Sequence, residues 1–310
     1  MNELIHSVKR KIAGMLADWA LPAITKEEQA RVDVLRNGIL ALPPLKNEPA
    51  HTSEQEWDKN RIELRSNILK RDPRNFLCWP VVTYTMFHES NIAELEYLKS
   101  LSRWAEYQSA LAESIIGNPR KYPAFPASSG NLIHHAYSIA FLSEKFSVNI
   151  RDCQSIFEFG GGYGSLARFA YQLGFAGQYI IFDFPEFSLL QKYYLSSIPE
   201  LGIHFDEPED PRLVSLATTI EQSLKAINGK SIDIFIALWS LSESPIAFRD
   251  STLAKLPHPS YFLIAYQEQF NNINNVEYFK KFTQERTNYE WADFPILHLT
   301  GSRYLIGKKN

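Results

Sequence analysis

Over the first 150 positions apolar residues recur every three or four places, with charged residues between them. That spacing lays one apolar stripe along a 3.6-residue repeat and predicts helices over 26–42, 52–70, 89–116 and 130–147. Pro43, Pro44, Pro49, Pro73, Pro80, Pro119, Pro123 and Pro126 punctuate these segments, because proline ends or kinks a helix. The stretch 76–87, FLCWPVVTYTMF, mixes β-branched and aromatic residues around Pro80 and predicts no single element. At the start, Leu4, Ile5, Val8, Ile12, Met15, Leu16 and Trp19 share one helical face, and Lys9, Arg10 and Lys11 break the run. It is therefore not a signal peptide. It is expected to be an amphipathic helix packed on the rest of the protein or on a second subunit, with a membrane surface as the alternative.

From about 153 the pattern changes to short apolar runs separated by stretches of helical length. The runs are 155–160, 178–184, 212–218, 231–240, 261–267, 295–301 and 302–308, and 201–206 competes with 212–218 for the third strand. The helical stretches are 165–174, 186–198, 219–228, 244–256 and 274–287. Strand alternating with helix implies a parallel sheet wrapped by helices. The last two runs meet at Thr300-Gly301-Ser302, which leaves no room for a helix, so they are expected to pair as an antiparallel hairpin. The fold expected is α/β. It has a Rossmann-like, seven-stranded, mostly parallel sheet with an antiparallel C-terminal hairpin, as in S-adenosylmethionine-dependent methyltransferases. Residues 1–125 would form a helical N-terminal region and residues 126–310 the core.

Composition narrows the class. The chain has 310 residues, 45% apolar and 22% charged, as in an ordinary globular protein. With 32 Lys+Arg against 35 Asp+Glu, the net charge of -3 speaks against nucleic acid as a partner. Two cysteines, Cys78 and Cys153, exclude a disulfide framework and a Cys-rich zinc site. No stretch reaches the ~20 apolar residues of a membrane span. A reducing cytoplasm is the expected compartment.

The candidate chemistry centres on SIFEFGGGYGSLARFAYQLG, 155–174. A strand runs through Glu158 into Gly160, Gly161, Gly162, Tyr163 and Gly164, and a helix starts near Ser165. Glycines allow a tight turn and a close ligand approach. The free N–H groups at a helix start favour an anion, here the carboxylate of a methionine tail. A dinucleotide fingerprint would need G-x-G-x-x-G/A, whereas the glycines fall as G-x-G-x-G and Ser165 takes the last place. Glu158 at the strand end suits a cofactor with a cationic amino group and a sulfonium, so S-adenosyl-L-methionine is the expected cofactor. Asp183, beside Phe184, ends the next strand, where an acid accepts hydrogen bonds from ribose hydroxyls; it can equally cap the helix that follows.

These residues resemble a known family. Glu158–Leu166 (EFGGGYGSL), Phe182-Asp183-Phe184-Pro185-Glu186 and Gln191-Lys192-Tyr193-Tyr194-Leu195 are similar to elements of the sugar O-methyltransferases of the NanM type. Ser240-Leu241-Ser242-Glu243 matches their Ser-x-x-Glu after the fourth strand, although Ser244 stands where they carry Met. Ile116-Gly117-Asn118-Pro119 resembles their turn before the core. The resemblance spans roughly 115–310 and implies methyl transfer to a hydroxyl of a sugar-like small molecule.

A sugar hydroxyl is a poor nucleophile and calls for a general base. Reacting groups in such sheets sit beyond the carboxyl ends of the strands, which nominates Ser240, Glu243, Gln267 and Glu268. Glu243 is the first candidate base, and His134 and His135 the next; a place in the first helical turn is the alternative for Glu243. Ser240, Glu268 and Tyr194 are candidate substrate contacts. Trp239, Tyr163 and Tyr193 are available for stacking, although aromatics at such spacing mostly fill cores. His298 is placed inside a hairpin strand, and no metal site is expected. Asp206, Glu207, Glu209 and Asp210, between Pro208 and Pro211, read as a solvated turn. The N-terminal helices are expected to shape the acceptor pocket, to pair two chains as a homodimer, or both. The readings left open are methylation of another small molecule and a cofactor-binding module without turnover.

Overall fold

In a computed structural model of the chain, residues 21–45, 52–86, 91–205 and 212–310 are described. The amphipathic stripe at 4–19 and the acidic turn at 206–210 lie outside them. Thr25 opens α1 (Lys26–Ala41) with a capping box closed by Glu28, which satisfies two of the otherwise unpaired N–H groups. α2 (Thr52–Lys70) follows. The ambiguous stretch around Pro80 becomes a 3-10 turn, Pro73–Cys78, and then α3 (Pro80–Thr85) with the proline at its first position. The expected helix over 89–116 divides into α4 (Ile92–Ser100) and α5 (Trp104–Ala110), because Leu101 leaves the helix in an extended conformation. A short hairpin of β1 (Lys121–Tyr122) and β2 (Phe125–Ser129) leads into α6 (Gly130–Phe146), capped by the Ser129 side chain.

The core then alternates as its pattern demands. β3 (Ser155–Phe159), α7 (Ser165–Gln172), β4 (Gln178–Phe182) and α8 (Pro185–Ser196) come first, followed by β5 (His204–Phe205) and β6 (Leu213–Ala217). α9 (Ile220–Ile227), β7 (Ile234–Leu238), α10 (Ser240–Glu243), α11 (Ile246–Lys255) and β8 (Tyr261–Gln267) continue the alternation. After a two-residue hairpin of β9 (Gln269–Phe270) and β10 (Ile273–Asn274) come α12 (Asn275–Gln284), β11 (Tyr289–Pro295) and β12 (Ser302–Lys309). The main sheet has eight strands in the order β5-β6-β4-β3-β7-β8-β12-β11. The first six are parallel, and β12 runs antiparallel to both of its neighbours. This is the expected Rossmann-like sheet, with one strand more than the seven counted. Both competitors for the third place form: β5 is the two-residue edge beside β6.

The closing hairpin differs in register from the expectation. Its first strand is 289–295, not 295–301, and Tyr289 pairs with Lys309 while Pro295 pairs with Arg303. Apolarity alone made 295–301 look like a strand. Instead Ile296–Gly301 turns on its own hydrogen bonds, Leu299 N–H to Ile296 O and Ser302 N–H to Leu299 O, both 2.9 Å. His298 therefore sits in a connection rather than in a strand.

Alternate residues of each buried strand feed two cores, one per face. Phe157, Phe159, Ile180, Phe182 and Phe235 pack with α9 and α12 on one side. Ile156, Ile181, Ile234 and Ile236 share the other with the N-terminal helices through Leu64, Phe76, Leu95 and Leu132. The helical region thus adds to one face of the sheet. One polar tie is Glu186, at the start of α8, which meets Arg61 Nε at 2.9 Å and an Arg65 guanidinium nitrogen at 2.5 Å. Burial alone would raise the Glu186 pKa, but the two guanidiniums beside it hold it below its ordinary 4.5.

A depressed carboxyl lends stability above its unfolded pKa and loses it as the pH falls through the folded one. Glu186→Gln is expected to cost about 1–3 kcal/mol, less than a fully buried pair because the arginines reach solvent. Hydrogen exchange should quicken along α2. In the unaltered chain α2 should loosen only below about pH 4. Unchanged exchange in the variant would show that the ion pair does not hold the helix.

Candidate active site

The parallel strands end together, and the chain leaves β3 and β7 towards opposite edges of the sheet, which opens a crevice between them. A cavity of about 820 Å³ occupies that crevice. Its walls are the residues just past the strands: Gly160–Gly162 after β3, Asp183 and Phe184 after β4, Thr218–Glu221 after β6, Trp239, Ser240 and Glu243 after β7, and Gln267 ending β8. The N-terminal region closes the remaining side with Trp57, Tyr84 and Met86, together with Asn131, His134 and His135 of α6.

The glycine turn is forced by its neighbours. Gly160 has φ +76° and donates its N–H to Phe182 O at 2.8 Å. A Cβ there would run into the Cβ of Ser240, whose hydroxyl is in turn bonded to Phe159 O. Ser240 thus braces the loop as well as lining the cavity. A Cβ on Gly161 would lie 2.5 Å from Ile181 Cγ2 and 3.0 Å from the Glu158 carboxyl. One on Gly162, at φ +56°, would only touch Met86, so that glycine is required by its backbone and not by crowding. Gly164, φ +91°, opens α7 and donates to Gly161 O at 2.9 Å, and it does not line the cavity. Tyr163 is a buried anchor: its hydroxyl accepts from Asn131 Nδ2 at 3.0 Å, and its ring meets Phe76 and Tyr194 edge-on. Tyr194 is buried in that same aromatic cluster, away from the cavity, and does not reach an acceptor.

Three carboxyls converge on the cavity. Glu158, 4% exposed, accepts from Tyr179 Oη at 3.0 Å, and burial pushes its pKa up to about 8. Asp183, half-buried, accepts from Phe184 N–H at 2.8 Å and Gln191 Nε2 at 2.9 Å. Burial raises it to about 7, against the lowering pull of those donors and of the Gly161 and Gly162 N–H groups. Its carboxyl therefore faces the glycine loop. Glu243 accepts from Gln267 Nε2 at 2.8 Å, and burial raises it too. Phe184 lies at the rim, with Arg61 4.6 Å over its ring and Trp57 6.1 Å away.

His134 and His135 both line the wall from the first turns of α6. His134 Nδ1 is 2.6 Å from Oε1 of Glu94, a fully buried carboxylate on α4, and His298 Nε2 meets the same oxygen at 2.7 Å. The Trp239 ring rests 5.0 Å from the His134 ring, on a backbone at φ 63° and ψ -36° that non-glycine residues rarely adopt. Glu268 is exposed and lies 3.4 Å from Arg303, outside the cavity, so it is no substrate contact in this arrangement. Sequence reasoning passed over Glu94, Trp57 and Thr218–Glu221. Glu94 has the look of any helix-face acid, and nothing in the pattern of α4 marks it as the one that turns inward. Among the described residues no group of acids, histidines and cysteines suits a metal ion, and no helix is long and apolar enough to cross a membrane.

No family model and no curated protein matches the chain. Among solved structures similar to it is magnesium protoporphyrin IX methyltransferase from Synechocystis PCC 6803 with bound S-adenosylmethionine. It is 12% identical, covering 71% of this chain and 96% of that one, with a TM-score of 0.41. An rRNA methylase from Escherichia coli is 11% identical over 90% and 100% of the two chains, with a TM-score of 0.40. One from Streptococcus thermophilus is 14% identical over 56% and 93%, with a TM-score of 0.39. Likenesses of this order carry nothing about what the present chain binds.

The raised carboxyls set a pH dependence. Glu158 moves up from 4.5 to about 8, Asp183 from 3.8 to about 7, and Glu243 moves up as well, so the folded chain holds these protons more tightly than the unfolded chain. Their stabilising contribution is complete below about pH 4 and is lost as the pH rises through about 7 and 8. The ligand-free protein is expected to melt on the order of 5 °C lower at about pH 8.5 than at about pH 5.5, and Glu158→Gln should flatten that fall. A melting temperature that rises over this range would contradict the burial of these groups.

Proposed function

We propose that the cavity binds S-adenosylmethionine and that the protein transfers its methyl group to a hydroxyl of a sugar or a similarly hydroxyl-rich small molecule. The observation that supports this most is the meeting of Glu158, the glycine turn and Asp183 on one cavity. Buried acids cost free energy unless positive charge or good donors reach them. A ligand with an ammonium group, a sulfonium and two ribose hydroxyls supplies both. In this reading Glu158 takes the cationic end, Asp183 the ribose hydroxyls, and the N–H groups that open α7 the carboxylate. Phe184 at the rim offers an apolar face to the base. The cavity's 820 Å³ lies in the upper part of the roughly 300–1,000 Å³ typical of small-ligand sites, with room for a small second reactant.

Bound there, the cofactor would supply a methyl carbon already activated by its sulfonium. The chain has then to align the acceptor and remove a proton, and alignment alone is worth many powers of ten. The wall away from the glycine turn suits that task. Glu243, Gln267, Asn131, His135 and Ser302 offer donors and acceptors around the half-buried Trp239 ring. Such a mixture of hydrogen-bonding groups and one aromatic face favours a sugar-like acceptor over a flat apolar one. With 32 basic against 35 acidic residues, the rRNA in the names of similar structures is not carried over to this chain.

Titration calorimetry should show binding of S-adenosylmethionine and S-adenosylhomocysteine and none of NADH. Because burial pushes Glu158 up to about 8, cation binding should release protons near neutral pH, and affinity should rise from about pH 6 to 8. Glu158→Gln should weaken binding roughly 10- to 100-fold, the worth of a hydrogen bond to a charged group. Labelled methyl transfer to nucleotide-linked hexoses tests the acceptor class. Binding of NADH, or no binding of either methyl-bearing nucleoside, would end this reading.

A further inference from the structure

Resting on the reading above, we infer that Glu243 takes the proton of the acceptor hydroxyl on its Oε2, and that Gln267 is the positioning residue that leaves this oxygen free. The two carboxylate oxygens are not equivalent. Oε1 accepts from Gln267 Nε2 at 2.8 Å. An ionised carboxylate only accepts, so the Gln267 amide turns its nitrogen to Glu243. The amide oxygen then faces the Ser242 hydroxyl, which lies 2.6 Å from it and 2.6 Å from Trp239 O. Oε2 has no hydrogen-bond partner among the described residues and keeps accessible surface. Glu243 and Gln267 are both half-buried in the cavity wall, so the free oxygen is open to a molecule that enters. His134, on the same wall, has no exposed surface and offers no such atom.

The turn that carries Glu243 is held more firmly than packing requires. It opens at Trp239, on strained backbone, whose carbonyl accepts from Glu243 N–H at 3.2 Å. The Ser240 hydroxyl ties the same turn to the glycine loop through Phe159 O. Arg249, on α11, grips the carbonyls on either side of Glu243. Its Nε reaches Ser244 O at 2.7 Å, and a terminal nitrogen reaches Ser242 O. Asn275, at the start of α12, accepts from the other terminal nitrogen at 2.7 Å and donates to Ser242 O at 3.2 Å. Arg249 and Asn275 have no exposed surface, and the hydrogen-bond partners of the guanidinium are all neutral. A buried cation with neutral partners is destabilising relative to an apolar side chain of like size. Here it fixes the backbone before and after one carboxylate on the cavity wall.

In the transfer step the hydroxyl proton passes to Glu243 Oε2 while the oxygen forms its bond to the methyl carbon. The electron pair of the broken carbon–sulfur bond stays on sulfur, so the sulfonium charge and the carboxylate charge disappear together. Several groups bear on this carboxyl. Burial raises its pKa, the Gln267 amide lowers it, Glu56 on α2 raises it and Arg249 lowers it. Glu158, Asp183 and His135 share the cavity. A carboxylate raised above its ordinary range is the better proton acceptor.

Two nucleosides test this without an acceptor. Sinefungin carries an amine near the place of the transferred methyl, and S-adenosylhomocysteine carries nothing there. Their remaining contacts are shared, so the ratio of their affinities reports on that place. By calorimetry of the full chain, sinefungin is expected to bind roughly 10-fold tighter or more, the worth of a hydrogen bond between charged groups. The preference should shrink as the pH falls and Glu243 takes up a proton. Glu243→Gln should hold S-adenosylhomocysteine within about twofold and lose most of the preference at every pH. Gln267→Met keeps the charge but unties Oε1, and should lower the preference about threefold with S-adenosylhomocysteine affinity unchanged. Should Glu243→Gln fail to bind S-adenosylhomocysteine, Gln267→Met carries the test by the same ratio. With an acceptor in hand, Glu243→Ala should lose roughly 100-fold or more in methyl transfer and regain part of it with added formate. A preference untouched by Glu243→Gln, or absent from the unaltered chain while both ligands bind, overturns the assignment alone. Failure of both ligands to bind the unaltered chain overturns the cofactor reading instead.

Discussion

The structure depends on a deliberate misfit: acids crowded around one cavity at the open end of a sheet, without basic side chains to pair them. Glu158 is placed there by strand register, Asp183 by the next strand, and Glu243 by the short helix after β7. None of them has an arginine or lysine within salt-bridge distance among the described residues. Elsewhere the same chain pairs its buried acids with care, as at Glu186 with Arg61 and Arg65, and at Glu113 with Arg168. Withheld counter-charges at one cavity and supplied ones elsewhere distinguish a site from a scaffold.

The scaffold keeps the misfit from collapsing. Tyr163 carries the middle of the glycine turn into an aromatic cluster with Phe76 and Tyr194, so the turn is held by packing as well as by hydrogen bonds. The N-terminal helices lend Phe76 to that cluster, Arg61 and Arg65 to α8, and Glu94 to α6. They are wall and brace together, and the cavity exists only where they meet the sheet.

The local part of this was legible in the chain. A strand running into G-x-G-x-G before a helix states its own geometry, and Asp183 follows at the end of the next strand; both lie where the pattern put them. Binary pattern failed where apolarity served a turn. The residues Ile296–Leu299 read as a strand but close on themselves after Pro295, with Leu297 left 90% exposed. Tyr194 and Glu268 were misplaced because one residue along a helix or strand end turns a side chain from cavity to core or to solvent. Glu94 and His298 were invisible for a different reason: 204 positions separate them, and only the closed fold shows that one oxygen serves two rings.

β12 has a consequence for how the protein is made. It is the last strand in the chain, yet it lies between β8 and β11 and is hydrogen-bonded on both sides. On the ribosome, then, β8 must wait with an unpaired edge, and β11 must wait without a sheet to join, until residues 302–309 emerge. A nascent chain stalled short of that point presents a ready template for intermolecular pairing.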